Sequence, residues 1–302
     1  MSWDLRHRIK ERGRRLAARV NHWRYPTVFG GVLGDQDAGL WIAEALRSQR
    51  PVLVGRLGSV EARLLGEARF GRFSRVTRRE AHRNAGIFPA DPEALEAAAA
   101  RLGSALEAVD LLALWDSPYQ ARLTAQLKPL PERCSLAALE PWWQSNPWSA
   151  ALAGQRVLVL HPFAESIQAQ WQRRERLFPG TPVLPEFALQ VLKPPLTLAG
   201  STAGFVSWST ALDDLIARTR QLNFDVALVG CGAYGLPLAA AIKAMGRPAL
   251  QLGGALQLLF GIRGRRWEAM PPFAALMNGH WVRPLPEETP QFAAQVDGGC
   301  YW

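Results

Sequence analysis

Apolar and polar positions follow two rhythms along this chain. In the second half, short runs dense in branched apolar residues stand between turn-formers: Arg156–Leu160 (RVLVL), Asp225–Val229 (DVALV) and Ala249–Leu252 (ALQL). Such runs predict strands covered on both faces, as in a parallel sheet. Gly180–Thr197 holds two further extended pieces around Pro185, Pro194 and Pro195. Between the runs, helical spacing marks Ala164–Leu177, Ser209–Gln221 and Pro237–Met245. The first half repeats the scheme with a helix at Asp37–Ser48, a strand at Pro51–Val54, a helix through VEARLLGEARF, an alanine-rich helix at Asp91–Val109 and a strand at Asp110–Trp115. Strands alternating with helices predict the α/β class: a Rossmann-like, mostly parallel sheet with helices on both faces. The expected organisation is a basic helical segment, residues 1–30, followed by one α/β domain, residues 31–302. A division near residues 149–155 would give halves 31–150 and 151–302 sharing one cleft.

The sharpest local signal is the segment Phe224–Gly254, which reads as strand, glycine loop, helix and strand. Gly230-Cys231-Gly232-Ala233-Tyr234-Gly235 fits the G-x-G-x-x-G spacing in the context that gives it meaning, after a strand and before a helix. Glycines there permit a tight turn and close backbone approach, and the helix start offers free N–H groups to a phosphate. The loop is expected to hold a phosphate-bearing ligand or to make a tight turn with no ligand. A dinucleotide site needs an acid at the end of the next strand to hold a ribose. Gln251-Leu252-Gly253-Gly254 supplies none, so NAD is not expected.

Arg56-Leu57-Gly58-Ser59-Val60-Glu61 follows the first strand in the same way. Ligands in open α/β sheets bind outside the carboxyl ends of strands. Arg56 can bind a phosphate through its planar fork, and Glu61 can serve as a base, a metal ligand or the ion-pair partner of Arg56. His161, directly after a strand with Glu165 a turn further on, is a second base candidate or a helix cap. Glu186, in Leu184-Pro185-Glu186-Phe187, is a third base candidate or a solvated loop acid. The glycine-punctuated loop Phe260–Trp267 carries Arg263 and Arg266, either to close over a diphosphate or to face solvent. Asn84 and Asn146 suit sugar hydroxyls or turns, and Trp142, Trp143 and Trp148 suit sugar stacking or the core.

With 302 residues, 48% hydrophobic and 20% charged, the composition is that of a globular chain rather than a disordered one. No apolar run approaches the ~20 residues of a membrane span, and the N-terminus has no apolar signal core, so the expected location is cytoplasmic. Cys134, Cys231 and Cys300 are too few and too scattered for a disulfide framework or zinc pattern. The net charge is +9, but residues 1–24 hold eight Arg or Lys against Asp4 and Glu11, so most of the excess sits in the head. A nucleic-acid-binding face on the core is therefore not expected. The head, with Trp3 at its start, suits peripheral contact with the inner face of an anionic membrane at about 1 kcal/mol per basic residue; it suits a solvated helix equally.

These motifs, in this order, resemble the GT-D-type glycosyltransferases, and segments such as GCGAYGLPLAA, QLGGALQLLFGIRGRRW and GGCYW resemble a bacterial subgroup related to that fold. The resemblance spans roughly residues 50–302. It implies a Rossmann-like fold and transfer of a hexose from a nucleotide-diphosphate sugar, typically a UDP-sugar, to a glycan, lipid-linked or protein acceptor in cell-surface polysaccharide or glycoconjugate synthesis. It implies that Arg56, Gly58 and Ser59, then Gly230, Gly232, Tyr234 and Gly235, then Gly253, with Arg263 and Arg266, hold the nucleotide sugar. Glu61, His161 and Glu186 become the catalytic candidates. The family's metal-associated pattern is Asp-x-Glu, whereas this chain has Ser59-Val60-Glu61. Glu61 alone is a poorer site for Mn²⁺ or Mg²⁺, so basic side chains must neutralise more of the diphosphate. The same departure leaves open a nucleotide-sugar-binding or scaffold protein without turnover.

Overall fold

The computed structural model describes residues 19–115 and 119–302. Residues 19–24 are helical; the rest of the basic head, Trp3 included, lies outside the described residues, and so does the membrane contact expected of it.

Seven strands form one sheet in which every pairing is parallel: β1 Leu53–Arg56, β2 Leu111–Leu114, β3 Glu132–Ser135, β4 Arg156–Leu160, β5 Ala188–Leu192, β6 Val226–Val229 and β7 Ala249–Gln251. The order is β3-β2-β1-β7-β6-β4-β5. The two halves expected from sequence therefore share one sheet. They meet at β7, which pairs with β1 (Leu53 opposite Ala249) and with β6 (Ala227 opposite Ala249).

Alternate strand residues face opposite ways, and each set has its own helical cover. Leu53, Leu112, Leu158 and Val229 pack against helices Ser59–Phe70, Pro92–Glu107, Trp208–Arg220 and Gly235–Ala244. Val54, Leu111, Val159 and Leu228 pack against helices Asp35–Arg47, Ala164–Trp171 and Ala255–Leu259, with Trp281 and Trp302 from the last stretch of chain. Covering both faces explains why strand after strand is apolar throughout. Helix starts are written in the sequence: Asp91 accepts from Ala94 N–H just before Pro92, and Ser207 forms a capping box with Thr210. Each such cap contributes about 1 kcal/mol.

The amino ends of the strands are pinned by acids. Asp110 accepts the N–H of Leu53 at 2.7 Å and pairs with Lys243 at 2.7 Å. Asp225 accepts the N–H of Arg156 at 2.8 Å and pairs with its guanidinium. The opposite rim of the sheet is given over to loops.

Several expected elements shift. Gly180–Thr197 yields one strand, β5, not two extended pieces. The Ala164 helix ends at Trp171, and a separate 3₁₀ turn covers Arg174–Arg176. The polar edge strand β3 and the basic helix Arg75–Arg83 have no counterpart in the hydrophobic pattern.

Candidate functional site

At the carboxyl ends of β1, β7 and β6, three neighbours in the sheet, the chain turns through glycine: at Gly58, at Gly253-Gly254, and at Gly230 and Gly232. All three turns, together with His161 at the end of β4, line one cleft of about 350 Å³. That volume lies in the range of small-molecule sites. Tight backbone approach is what the glycines provide. A Cβ on Gly230 would fall 2.7 Å from the His161 ring and 3.0 Å from Gly253 O, and Gly253 adopts φ +59°. A Cβ on Gly253 would fall 2.6 Å from Arg56 Nε, so its absence seats the guanidinium.

Arg56 enters from the last position of β1. Its backbone N–H donates to Gln251 Oε1 at 2.9 Å, while its buried Nε has no hydrogen-bond partner among the described residues. An orphaned buried donor costs free energy unless a ligand answers it. Gln251 stands where a dinucleotide site keeps its acid, and its side chain is occupied in joining β1 to β7. Arg266 also lines the cleft, presented by the one-turn helix Arg265–Glu268.

Ser59 opens helix Ser59–Phe70, and Glu61 sits in its first turn. The Glu61 carboxyl folds back into the space left by the absent side chain of Gly58. Burial pushes its pKa up; its own backbone N–H and Arg56 offset this in part, and Asp297 reinforces it. Asp297 is itself raised, chiefly by burial, with Arg266 opposing. It reaches the cleft on a run of three left-handed residues, Asp297, Gly298 and Gly299 (φ +47°, +70° and +73°). The backbone strain of a non-glycine residue there is the kind found at ligand sites.

His161 is buried, and burial lowers its pKa to about 3, so the ring is neutral. Its Nδ1 accepts the N–H of Phe163 at 3.0 Å, which leaves the ring proton on Nε2. His161 is thus a hydrogen-bond donor to whatever fills the cleft and a cap for the turn, not a base. Glu165 is not its partner: that carboxylate pairs with Lys193 at 3.1 Å on the surface. An unfolded histidine ionises near 6.5 and this one resists until about 3, so the folded state binds fewer protons in that window. Stability is therefore full above about pH 6.5 and falls as the pH drops toward 3. His161→Asn keeps an acceptor for Phe163 and is expected to flatten the decline of Tm between about pH 6.5 and 4. An unchanged slope would show that His161 is not its source.

Three expected ligand contacts lie elsewhere. Tyr234 turns under the glycine loop into the core: it is buried, stacks on Trp208 at 5.3 Å and shares a 2.8 Å hydrogen bond with Thr197 Oγ1. Gly235 packs on Gln251, where a Cβ would fall 3.0 Å from Cγ, so it serves helix–strand contact. Arg263 does not line the cleft, and its Nε approaches Glu268 at 3.9 Å; Arg266 does line it. Glu186 is also remote from the cleft; its exposed side chain pairs with Arg174 at 3.0 Å. Glu186→Ala is expected to leave nucleotide binding and turnover within about twofold of wild type, and a larger loss in a titration would bring it back into the site.

Glu140, like Asp297, is a cleft acid that the sequence did not mark. It follows the 3₁₀ turn Ala137–Leu139, and its Oε2 accepts from Trp143 Nε1 at 2.7 Å. Burial pushes its pKa up to about 7, with the Trp143 N–H and Arg56 opposing and Asp35 assisting. Tyr301 and Trp302 complete the wall; they are held by Gln257 Nε2 donating to Tyr301 O at 3.2 Å and by Trp302 Nε1 donating to Glu288 O at 2.9 Å. Glu288 is buried and accepts the N–H groups of Glu165 and Ser166, capping helix Ala164–Trp171. Burial, and after it the Glu165 side chain, raise its pKa, and it ties the cleft's last wall to the helix that follows β4. Among the described residues, no three His, Cys, Asp or Glu side chains converge as a metal site, and no helix is long and apolar enough to cross a membrane.

No family model, curated protein or solved structure matches this chain.

Proposed function

We propose that this chain is a glycosyltransferase that binds a nucleotide-diphosphate sugar, most readily a UDP-sugar, in the cleft and moves the hexose to a hydroxyl of a glycan, lipid-linked or protein acceptor. What carries this is one arrangement: three glycine turns on adjacent strands converge with Arg266 and with Arg56, whose buried Nε has no hydrogen-bond partner among the described residues. Two cations beside three glycine turns suit two linked phosphates better than one. The helix start at Ser59 adds its dipole. His161 Nε2–H suits a sugar hydroxyl, and the neighbouring aromatic wall of Trp115, Trp267 and Tyr301 suits a sugar or base face. The resemblance of the motifs to GT-D enzymes points the same way.

A divalent cation fits only in company with the ligand's phosphates. Glu61 and Asp297 would hold it, two carboxyls whose mutual repulsion a cation relieves. Its chemistry would be to take up charge on the departing diphosphate. Asp297 thus offers a second carboxylate where Ser59 replaces one.

Isothermal titration with a panel of UDP- and GDP-sugars, with and without Mn²⁺, tests the proposal. Micromolar binding of at least one donor is expected, and no binding of any donor in either condition would sink it. Ser59 favours a second reading, a nucleotide-sugar binder without turnover. Binding without release of UDP from any bound donor, and binding indifferent to Glu61→Ala, would select that reading.

A further inference from the structure

Glu61, Glu140 and Asp297 all line the cleft. Arg56 acts on both Glu61 and Glu140, and Arg266 acts on Asp297. Glu140 sits on a different element, beside Leu136, Leu139 and Phe273, all of which line the cleft with it. One carboxylate oxygen is fixed by the Trp143 indole at 2.7 Å. Trp143 is in turn braced edge-on by Trp142 at 6.5 Å and Phe273 at 5.5 Å. The other oxygen makes no hydrogen bond among the described residues, so one lone pair is aimed by its partner and the other is available. Of the three base candidates that the sequence offered, Glu186 is outside the cleft, His161 has its acceptor nitrogen occupied, and Glu61 is folded against Gly58 beside Arg56.

Resting on the nucleotide-sugar reading, we propose that Glu140 takes the proton of the attacking acceptor hydroxyl and that Trp143 is its positioning residue. In that step the hydroxyl proton passes to the free oxygen of Glu140, and the hydroxyl oxygen forms a bond to the anomeric carbon of the sugar. The bond from that carbon to the diphosphate oxygen breaks, and its electron pair leaves on the diphosphate beside Arg56 and Arg266. A single displacement of this kind inverts the anomeric centre.

The charged groups facing Glu140 set where it works. Arg56, from β1, favours the carboxylate. Asp35, at the start of helix Asp35–Arg47 and engaged by Ser135 Oγ at 2.7 Å, disfavours it. His161, from the end of β4, is neutral. A base must be unprotonated, so turnover should rise with pH through about 7.

The test uses the full chain with UDP-glucose as donor and water as acceptor, reading UDP release, and UDP itself for binding. Glu140→Gln is expected to lower kcat about 100-fold and abolish the rising limb of the pH profile, with UDP affinity held within about threefold. Trp143→Phe removes a hydrogen bond that favours the carboxylate, so its limb should move to higher pH. Glu140→Gln with wild-type kcat, or release of the sugar with retained anomeric configuration, would overturn the proposal. A readout independent of turnover separates it from the donor reading. In protein labelled with fluorotryptophan, the Trp143 fluorine resonance, assigned with Trp143→Phe, should titrate near pH 7 and stop doing so in Glu140→Gln. A Trp143 resonance whose pH response is unchanged in Glu140→Gln would overturn the proposal even if donor binds. Failure of wild-type protein to bind any donor removes the transfer step with its parent reading, and the fluorine titration shows which of the two has failed.

Discussion

Arg56→Gln is expected to weaken UDP binding about 100-fold, or about 3 kcal/mol, without loss of fold. The guanidinium is the group most committed to an absent partner. Its Nε is buried without a hydrogen bond among the described residues, and the neighbouring position must be glycine for it to fit. Hydrogen bonds between ions in a sheltered site are worth about 1.5–3 kcal/mol each, and a fork makes two. The backbone N–H of Arg56, which ties β1 to Gln251, survives the change, so Tm should stay level or rise once an unpaired buried donor is gone. Arg56→Lys keeps the charge but not the fork and should fall about tenfold short of wild type. Titration with UDP decides: affinities for Arg56→Gln within about threefold of wild type would remove Arg56 from the phosphate site.

Trp208→Ala should cost about 3–5 kcal/mol of stability, read from the urea midpoint. The indole is almost wholly buried at the start of helix Trp208–Arg220 and lies flat on Tyr234, 10° from parallel. Tyr234 in turn reaches Thr197, whose hydroxyl donates to Gly86 O at 2.9 Å. Removing the indole takes away the floor on which the β6 turn rests, so UDP affinity should fall as well. Trp208→Phe should be far milder, at about 1 kcal/mol, because the Nε1 of Trp208 has no partner among the described residues and its loss costs nothing. A Trp208→Ala cost below about 1 kcal/mol would mean that the stack contributes little.

The parallel sheet could be read from the sequence because its central strands are apolar on both faces, as Val157, Leu158 and Val159 are. β3 escaped because it is an edge strand: Glu132 faces water and Arg133 folds back to donate to Val28 O at 3.2 Å, so no apolar alternation remains. Helix Arg75–Arg83 escaped because its residues are nearly all polar, and its clearest mark is the Ser74 cap on Thr77. β1 was placed two residues early, since an arginine does not look like the last residue of a buried strand. In the site, Arg56, Glu61 and His161 were visible because each follows a strand that the pattern exposes. Glu140 and Asp297 were not, because they arrive by tertiary packing from loops distant in sequence, where nothing local distinguishes a cleft acid from a solvated one. The three-residue spacing between Arg263 and Arg266 was likewise silent on which would face inward.

The place of β7 bears on how the molecule is made. The first three strands and the next three are each neighbours in the sheet, and among the described residues the two sets are joined through β7. The pairing of Leu53 with Ala249 spans most of the chain. As the polypeptide leaves the ribosome, β1 waits with one edge unpaired until β7 has emerged, a long interval for a strand edge prone to wrong partners. Contacts so far apart in sequence also slow the closing step. The cleft straddles that seam, so binding competence should wait on β7, and a ligand that bridges Arg56 and the β6 turn would act as a fastener between the two sides of the sheet.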